Sequence, residues 1–368
     1  MSKSCKPLHP GLFLLGAATA ALVFAAPQTC AEAFRQGLAL CGGLFPFLVV
    51  SALIMRSGAG EVLGVLLWPV VRCIGLRSRS AGSVLLIGLV GGFAPAAAAT
   101  AEAVRSRELT SQEASALLPA CICSGPSFVI LTVGEQLLGS RTAGVCLFAA
   151  QVLAGWLTAA LLCRVRGIPE PLPAPPAAAQ TEPPPALDTI LAQAAVTYLK
   201  LCGFVLYFRL LAAGCGLLLP AVFAPFPAML LEVCSGCDYA ARTGLWASGL
   251  CCAALSVQGA SVLLQVRTLC PPEVSLRSLL WGRLLHLPLS LALFYLGLPQ
   301  SAVESFNTLC ARVVPMQRVP TDCALLVFAV CCITACEACR LTEKKAQNAV
   351  PANKNCSAAC KPPQNVVT

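Results

Sequence analysis

Eight stretches of at least 20 residues in this chain contain no Asp, Glu, Lys or Arg: 7–31, 36–55, 80–101, 114–134, 142–163, 210–231, 243–266 and 284–303. Each is 20 to 25 residues long, the length at which a helix crosses about 30 Å of hydrocarbon. A shorter run, 323–336, also crosses if Asp322 and Glu337 stand at the two interfaces. Lipid offers backbone groups no partners, so spanning segments are helices or closed barrels, and the period-2 alternation of a barrel is absent. Only 11% of the 368 residues are charged, against about a quarter in soluble domains. That is too little charge to solvate a globular surface. It excludes a cytosolic enzyme, a nucleic-acid binder and a disordered chain, and leaves an all-α polytopic membrane protein.

Composition also divides the chain. Lys3 and Lys6 precede an apolar run that continues past the loosely cleavage-like Phe24-Ala25-Ala26 to Cys30, so residues 1–31 read as a retained signal-anchor helix. Residues 169–185 hold 8 prolines in 17 positions, a composition that forms extended linkers and builds no core. A cytoplasmic linker over 167–187 therefore separates a membrane half at 32–166 from another at 188–340, and 341–368 is a polar, basic tail. The halves share faint echoes. Leu38-Ala-Leu-Cys41-Gly42 recurs as Leu199-Lys-Leu-Cys202-Gly203, and Gly125-Pro-Ser127 as Gly259-Ala-Ser261.

Loop Lys and Arg favour the cytoplasmic side. Placing the clusters Lys3/Lys6, Arg72/Arg77/Arg79, Arg105/Arg107, Arg164/Arg166, Arg267/Arg277/Arg283 and Arg340/Lys344/Lys345 inside is satisfied by eight crossings and two re-entrant hairpins. One hairpin is 80–101, turning near Gly91-Gly92 and Pro95; the other spans about 221–240. The hairpins enter from opposite sides, which makes the halves inverted repeats of the kind common in secondary transporters.

The local features most suggestive of chemistry are interruptions. Cys121-Ile-Cys-Ser124-Gly125-Pro126-Ser127 lies inside an apolar run. Proline removes a donor and glycine loosens the helix, so backbone groups freed there face a cavity or protein. A simple kink, with Ser124 and Ser127 bonding back to the helix, is the alternative. Ser256-Val-Gln258-Gly259-Ala-Ser261 is the second-half counterpart. Glu232 ends an uncharged run and precedes Val-Cys-Ser235-Gly236-Cys. An acid at membrane depth reads as a coupling site for Na+ or H+, or as an interfacial residue. Gln258 and Gln265, two helical turns apart, could line a path or bond between helices. Arg209 could offset a buried acid, attract an anion or snorkel. Glu102 has Arg105 as a local partner. Most of the 23 cysteines lie in apolar runs and read as small hydrophobes. The pairs Cys234/Cys237 and Cys336/Cys339 have metal-ligand spacing but no partner pair, and the two histidines, His9 and His286, supply none. No Walker loop, dinucleotide fingerprint, HExxH or hydrolase elbow occurs, so no enzyme is expected.

Taken together, Gly92-Phe-Ala-Pro95, Leu109-Thr-Ser-Gln-Glu-Ala114 and Cys121-Ile-Cys-Ser-Gly-Pro-Ser-Phe128 resemble the nucleoside-recognition, or Gate, domain. With Leu44-Phe-Pro-Phe47, Leu231-Glu-Val-Cys-Ser-Gly236 and Gln258-Gly-Ala-Ser-Val-Leu-Leu-Gln265, the arrangement over about 32–298 is similar to the sporulation integral membrane protein family of spore-forming bacteria. That resemblance implies kinship to concentrative nucleoside transporters and passage of dipicolinate across the outer forespore membrane, within a multi-pass protein of the bacterial inner membrane. It implies a hairpin tip at Gly92 and Pro95 beside a break at Ser124, Gly125 and Pro126. Opposite these it sets a hairpin at Glu232, Ser235 and Gly236, with Gly259 and Gln265 alongside. Relatives carry Tyr-Pro-Thr-Gly, Asn-Asn-Ser-Gly-Pro and Glu-x-Thr-Asn-Gly at the matching places, so several polar side chains are apolar or smaller here. The expected role is movement of a small polar or anionic metabolite, with other spore-membrane proteins or a second copy as partners. The alternatives are a nucleoside transporter and a non-transporting scaffold for spore-envelope assembly.

Overall fold

A computed structural model describes residues 10–41, 44–167, 186–220 and 223–297. Every regular element among them is helical. The expected linker, the last crossing at 323–336, the Cys336/Cys339 pair and the basic tail fall outside these residues.

The first half begins with α1 (Pro10–Ala25) and α2 (Pro27–Cys41), which meet at 106°. Among the described residues the charge-free run 7–31 is thus divided between two helices. Pro27 has no N–H to continue the ladder of α1, so the charge-free run turns sharply there. The run 36–55 is likewise not one helix. It is divided between α2 and α3 (Phe45–Arg56), and a 90° bend leads on through α4 (Ala59–Gly64) and a 3₁₀ turn to α5 (Trp68–Ile74). Next come α6 (Ser80–Gly91), α7 (Phe93–Arg105) and α8 (Ser111–Cys121). A π-helical segment, Ser127–Leu137, and α9 (Arg141–Arg166) complete the half. The second half holds α10 (Leu187–Leu218), the short pair α11 (Pro225–Leu231) and α12 (Val233–Ala240), then α13 (Ala247–Val257), α14 (Gly259–Leu269) and α15 (Arg277–Gly297).

Among the described residues four helical stretches are long and apolar enough to cross a bilayer: 141–166, 187–218, 244–269 and 277–297. The number rises to six if each sharply bent pair counts as one span. This is a multi-pass membrane protein, with Leu, Val, Phe and Trp side chains exposed along α1, α4, α9, α10 and α15 for the bilayer to cover.

The interior is built from small residues. Ala94, Ala96, Ala97, Ala99, Ala101 and Ala103 of α7 are all buried, because short side chains let backbones approach closely where lipid supplies no hydrophobic drive between helices. Local sequence sets the ends of the inner helices. Thr110 and Glu113 form a reciprocal capping box at the start of α8, and the Glu113 carboxylate also accepts from Ser78 Oγ at 2.7 and 2.8 Å. Deeper in, Gln151 of α9 donates to Ser256 of α13, which shares a hydrogen bond with Ser290 of α15. His286 Nε2 bonds the carbonyl of Gln151 at 3.0 Å, so this histidine ties α15 to α9.

Candidate functional site

Two helical hairpins and two interrupted helices meet in the middle of the fold. In the first hairpin α6 and α7 fold back on each other at Gly92: a Cβ at Gly88 would lie 3.3 Å from that of Ala96, although the two are eight residues apart in sequence. Gly92 has φ +80° and ψ −164°, a region open essentially to glycine alone. Its missing side chain also lets the tip touch the interruption at 122–126, since a Cβ there would stand 2.7 Å from the Gly125 amide nitrogen. Pro119 inside α8 and Pro126 ahead of the π-helical segment bracket that interruption, and Ile122 at its start has ψ +87°.

The second half repeats the construction with other means. Helices α11 and α12 fold back at Glu232, and a Cβ at Gly236 would lie 2.8 Å from Met229 Cα. The tip packs against the interruption between α13 and α14, where a Cβ on Gly259 would meet Glu232 N and Leu231 C at 2.8 Å. The echo between Gly125-Pro-Ser127 and Gly259-Ala-Ser261 thus marks two interruptions, each receiving a hairpin tip.

One cavity lies between these parts. It is open in part to the outside, and Gly92, Ser124, Gly125, Ser127, Glu232 and Gln265 line it. Its remaining walls are mostly apolar, from Leu44, Phe47, Leu48, Phe93, Phe128, Leu201, Val205 and Val262. Three helix N-termini open onto it, those of α7, the π-helical segment and α12. The first two carry no side-chain cap. At the third, Glu232 Oε1 accepts from Cys234 N at 2.7 Å and Oε2 from Ser235 N at 2.6 Å and Ser235 Oγ at 3.0 Å. Ser124 Oγ is buried without a hydrogen-bond partner. A simple kink with Ser124 bonding back to its helix is not what the fold contains.

The other expected site residues take different places. Glu232 is 1% exposed, and both of its oxygens are engaged by its own helix. Ser235 and Gly236 serve α12 rather than the cavity wall, and Pro95 packs against Gly91 in the first turn of α7. Gln265 lines the cavity and donates to Ser261 Oγ at 3.1 Å. Gln258 does not share that face. It sits at φ +61° in the interruption, and its Nε2 donates to the carbonyl of Ile122 at 3.2 Å. Glu102 is paired with Arg105 at 2.8 Å on the surface. No group of three metal-ligating side chains occurs among the described residues.

Two features escape a reading by residue pattern. Arg209 of α10 does offset a buried acid, and that acid is Asp238 of α12, 2.6 Å away, with side chains 5% and 6% exposed. Arg209 also donates to Gln36 of α2, and Arg242 to Asp238 at 2.9 Å. Asp238 carried no signal beyond being an acid in an apolar neighbourhood, six residues after Glu232. The second feature is Arg283, placed by charge counting in a cytoplasmic cluster. Its guanidinium instead reaches the Ile122 carbonyl at 2.9 Å and the side chain of Gln258.

No family model and no solved structure matches this chain. Among curated proteins it is similar to the sporulation integral membrane protein YlbJ of Bacillus subtilis (strain 168), 30% identical over 172 residues. That alignment covers 45% of this chain and spans only 41% of the relative's length.

Proposed function

We propose that this protein carries a small anionic metabolite of the dipicolinate type across a membrane of sporulating cells, by binding and passage without covalent chemistry. The observation that carries the reading is one cavity combining the two uncapped helix N-termini of α7 and the π-helical segment with the unpartnered hydroxyl of Ser124. A helix N-terminus presents unsatisfied N–H groups and roughly half a positive charge, so two uncapped ends beside a free hydroxyl suit a carboxylate. Phe47, Phe93 and Phe128 offer apolar surface to a planar ring next to it. The sporulation protein among its relatives supports the setting, and the outer forespore membrane is the place of action in this reading. A coupling ion, Na+ or H+, would have to displace the capping bonds of Glu232.

A second reading, a non-transporting scaffold for spore-envelope assembly, is favoured by how few polar side chains the cavity has. Uptake of labelled dipicolinate and of uridine into vesicles holding the purified protein separates the readings. Saturable dipicolinate uptake that Ser124→Ala lowers at least tenfold supports the proposal. Uptake of uridine alone moves the substrate class to nucleosides, and uptake of neither, from folded protein, favours the scaffold.

A further inference from the structure

Three groups outside the cavity lining tie the two interruptions together. Ile122 opens the first interruption and Gln258 opens the second, so the weakest points of both halves lie next to each other. One nitrogen of Arg283 donates to the Ile122 carbonyl and to the Gln258 side-chain oxygen, while the Gln258 amide donates to that same carbonyl. The three form a closed ring of hydrogen bonds between α15 and the two interruptions. Gln258 is held with positive φ, which among the described non-glycine residues only Arg107 shares. A left-handed glutamine is strained and persists only where its surroundings fix it. Here its own N–H, bonded to the Ala254 carbonyl at the end of α13, and the side-chain ring hold it together, so loss of the ring leaves a strained residue with less to hold it. Two alternatives, separated by a modest energy difference, are what a gate requires.

We propose that Arg283, Gln258 and the Ile122 carbonyl form a pin that keeps the two helix interruptions together, and that the pin must break for the cavity to open toward α15. The inference rests on the transport reading above. Arg283 acts in it as a positioning residue, through Gln258 and the backbone of Ile122. No ligand is required to touch it.

Cys123, 6% exposed and one residue beyond Ile122, reports on the pin directly. The full-length protein is treated with N-ethylmaleimide in lipid vesicles, and modification of each cysteine is followed by mass spectrometry. A charge-assisted hydrogen bond is strong enough that its loss raises the opened population about tenfold or more. Arg283→Met and Gln258→Leu are each expected to speed modification of Cys123 by that factor, with Cys234 and Cys252 unchanged. The double variant should be faster than either single one but by less than the product of their factors, because both singles lose the shared Arg283–Gln258 bond while each keeps one bond to Ile122. Both bonds of Arg283 come from one nitrogen, so Arg283→Lys should remain within about threefold of the wild type by the same arithmetic. Unchanged labelling of Cys123 in both single variants would overturn the proposal. So would a rise shared by Cys234 and Cys252, which marks general loosening, or rates that simply multiply in the double variant. Uptake measured on the same vesicles should show a changed maximal rate at unchanged KM. If wild-type vesicles take up nothing, the transport reading fails while the labelling still decides whether the pin exists.

Discussion

The two hairpin-and-interruption pairs share a plan and differ in where their polar groups are spent. In the first half, glycine meets glycine: Gly92 rests on Gly125, no side chain caps α7 or the π-helical segment, and Ser124 Oγ is left without a partner. In the second half Glu232 satisfies two amides and a hydroxyl of its own helix, and Gln258 is bonded on both sides of its amide. The first half therefore keeps its donors for something else, and the second consumes them internally. Recognition should belong to the first pair and rigidity to the second.

The largest effect tests the shared plan. Gly92→Ala forces a side chain into a glycine-only conformation and against the Gly125 backbone, at a cost of about 3 kcal/mol or more. The folded yield in detergent should fall steeply, and a variant that folds normally would refute the tip-on-interruption contact. Gly259→Ala comes next. A left-handed alanine is allowed at about 1–2 kcal/mol, with the close approach to Leu231 and Glu232 added, so the midpoint of thermal unfolding should drop clearly but by less. Glu232→Gln should cost about 1–2 kcal/mol as a damaged helix cap. If it instead leaves stability intact and abolishes uptake, the carboxylate serves the ligand and the contrast between the halves collapses. The smallest effect on stability belongs to Ser124→Ala, within about 0.5 kcal/mol of wild type because the hydroxyl has no partner to lose, alongside the fall in uptake already described. A marked loss of stability there would show that Ser124 is structural after all.

The sequence made the helical, membrane-spanning character legible through its charge-free runs, since a long uncharged segment has few other uses. The interruption at 121–127 was equally legible, because Gly125 and Pro126 act locally. Charge-free length failed at 7–31 and 36–55. Charge reports only on solvation, and a helix can bend at Pro27 without any charge entering the run. The site was half legible. Glu232 announced itself as an acid at depth, yet its task as a cap depends on where α12 starts. Pairings between distant elements could not be read, among them Arg209 with Asp238 and Arg283 with Gln258. They depend on how helices pack, and residue type alone gives the same signal for a loop arginine and a buried one.

The buried Arg209–Asp238 pair also bears on how the chain is made. Arg209 leaves the ribosome 29 residues before the acid that neutralises it. An arginine in mid-helix is costly to release into lipid alone, so α10 gains from waiting beside the insertion machinery until α12 arrives. Paired with Asp238, Arg209 costs less to place in lipid than it does alone. A nascent chain arrested before Asp238 should accordingly be extracted from the membrane by alkaline carbonate more readily than one arrested after it. Extraction that does not differ between the two arrests would leave the salt bridge a matter of the folded geometry alone.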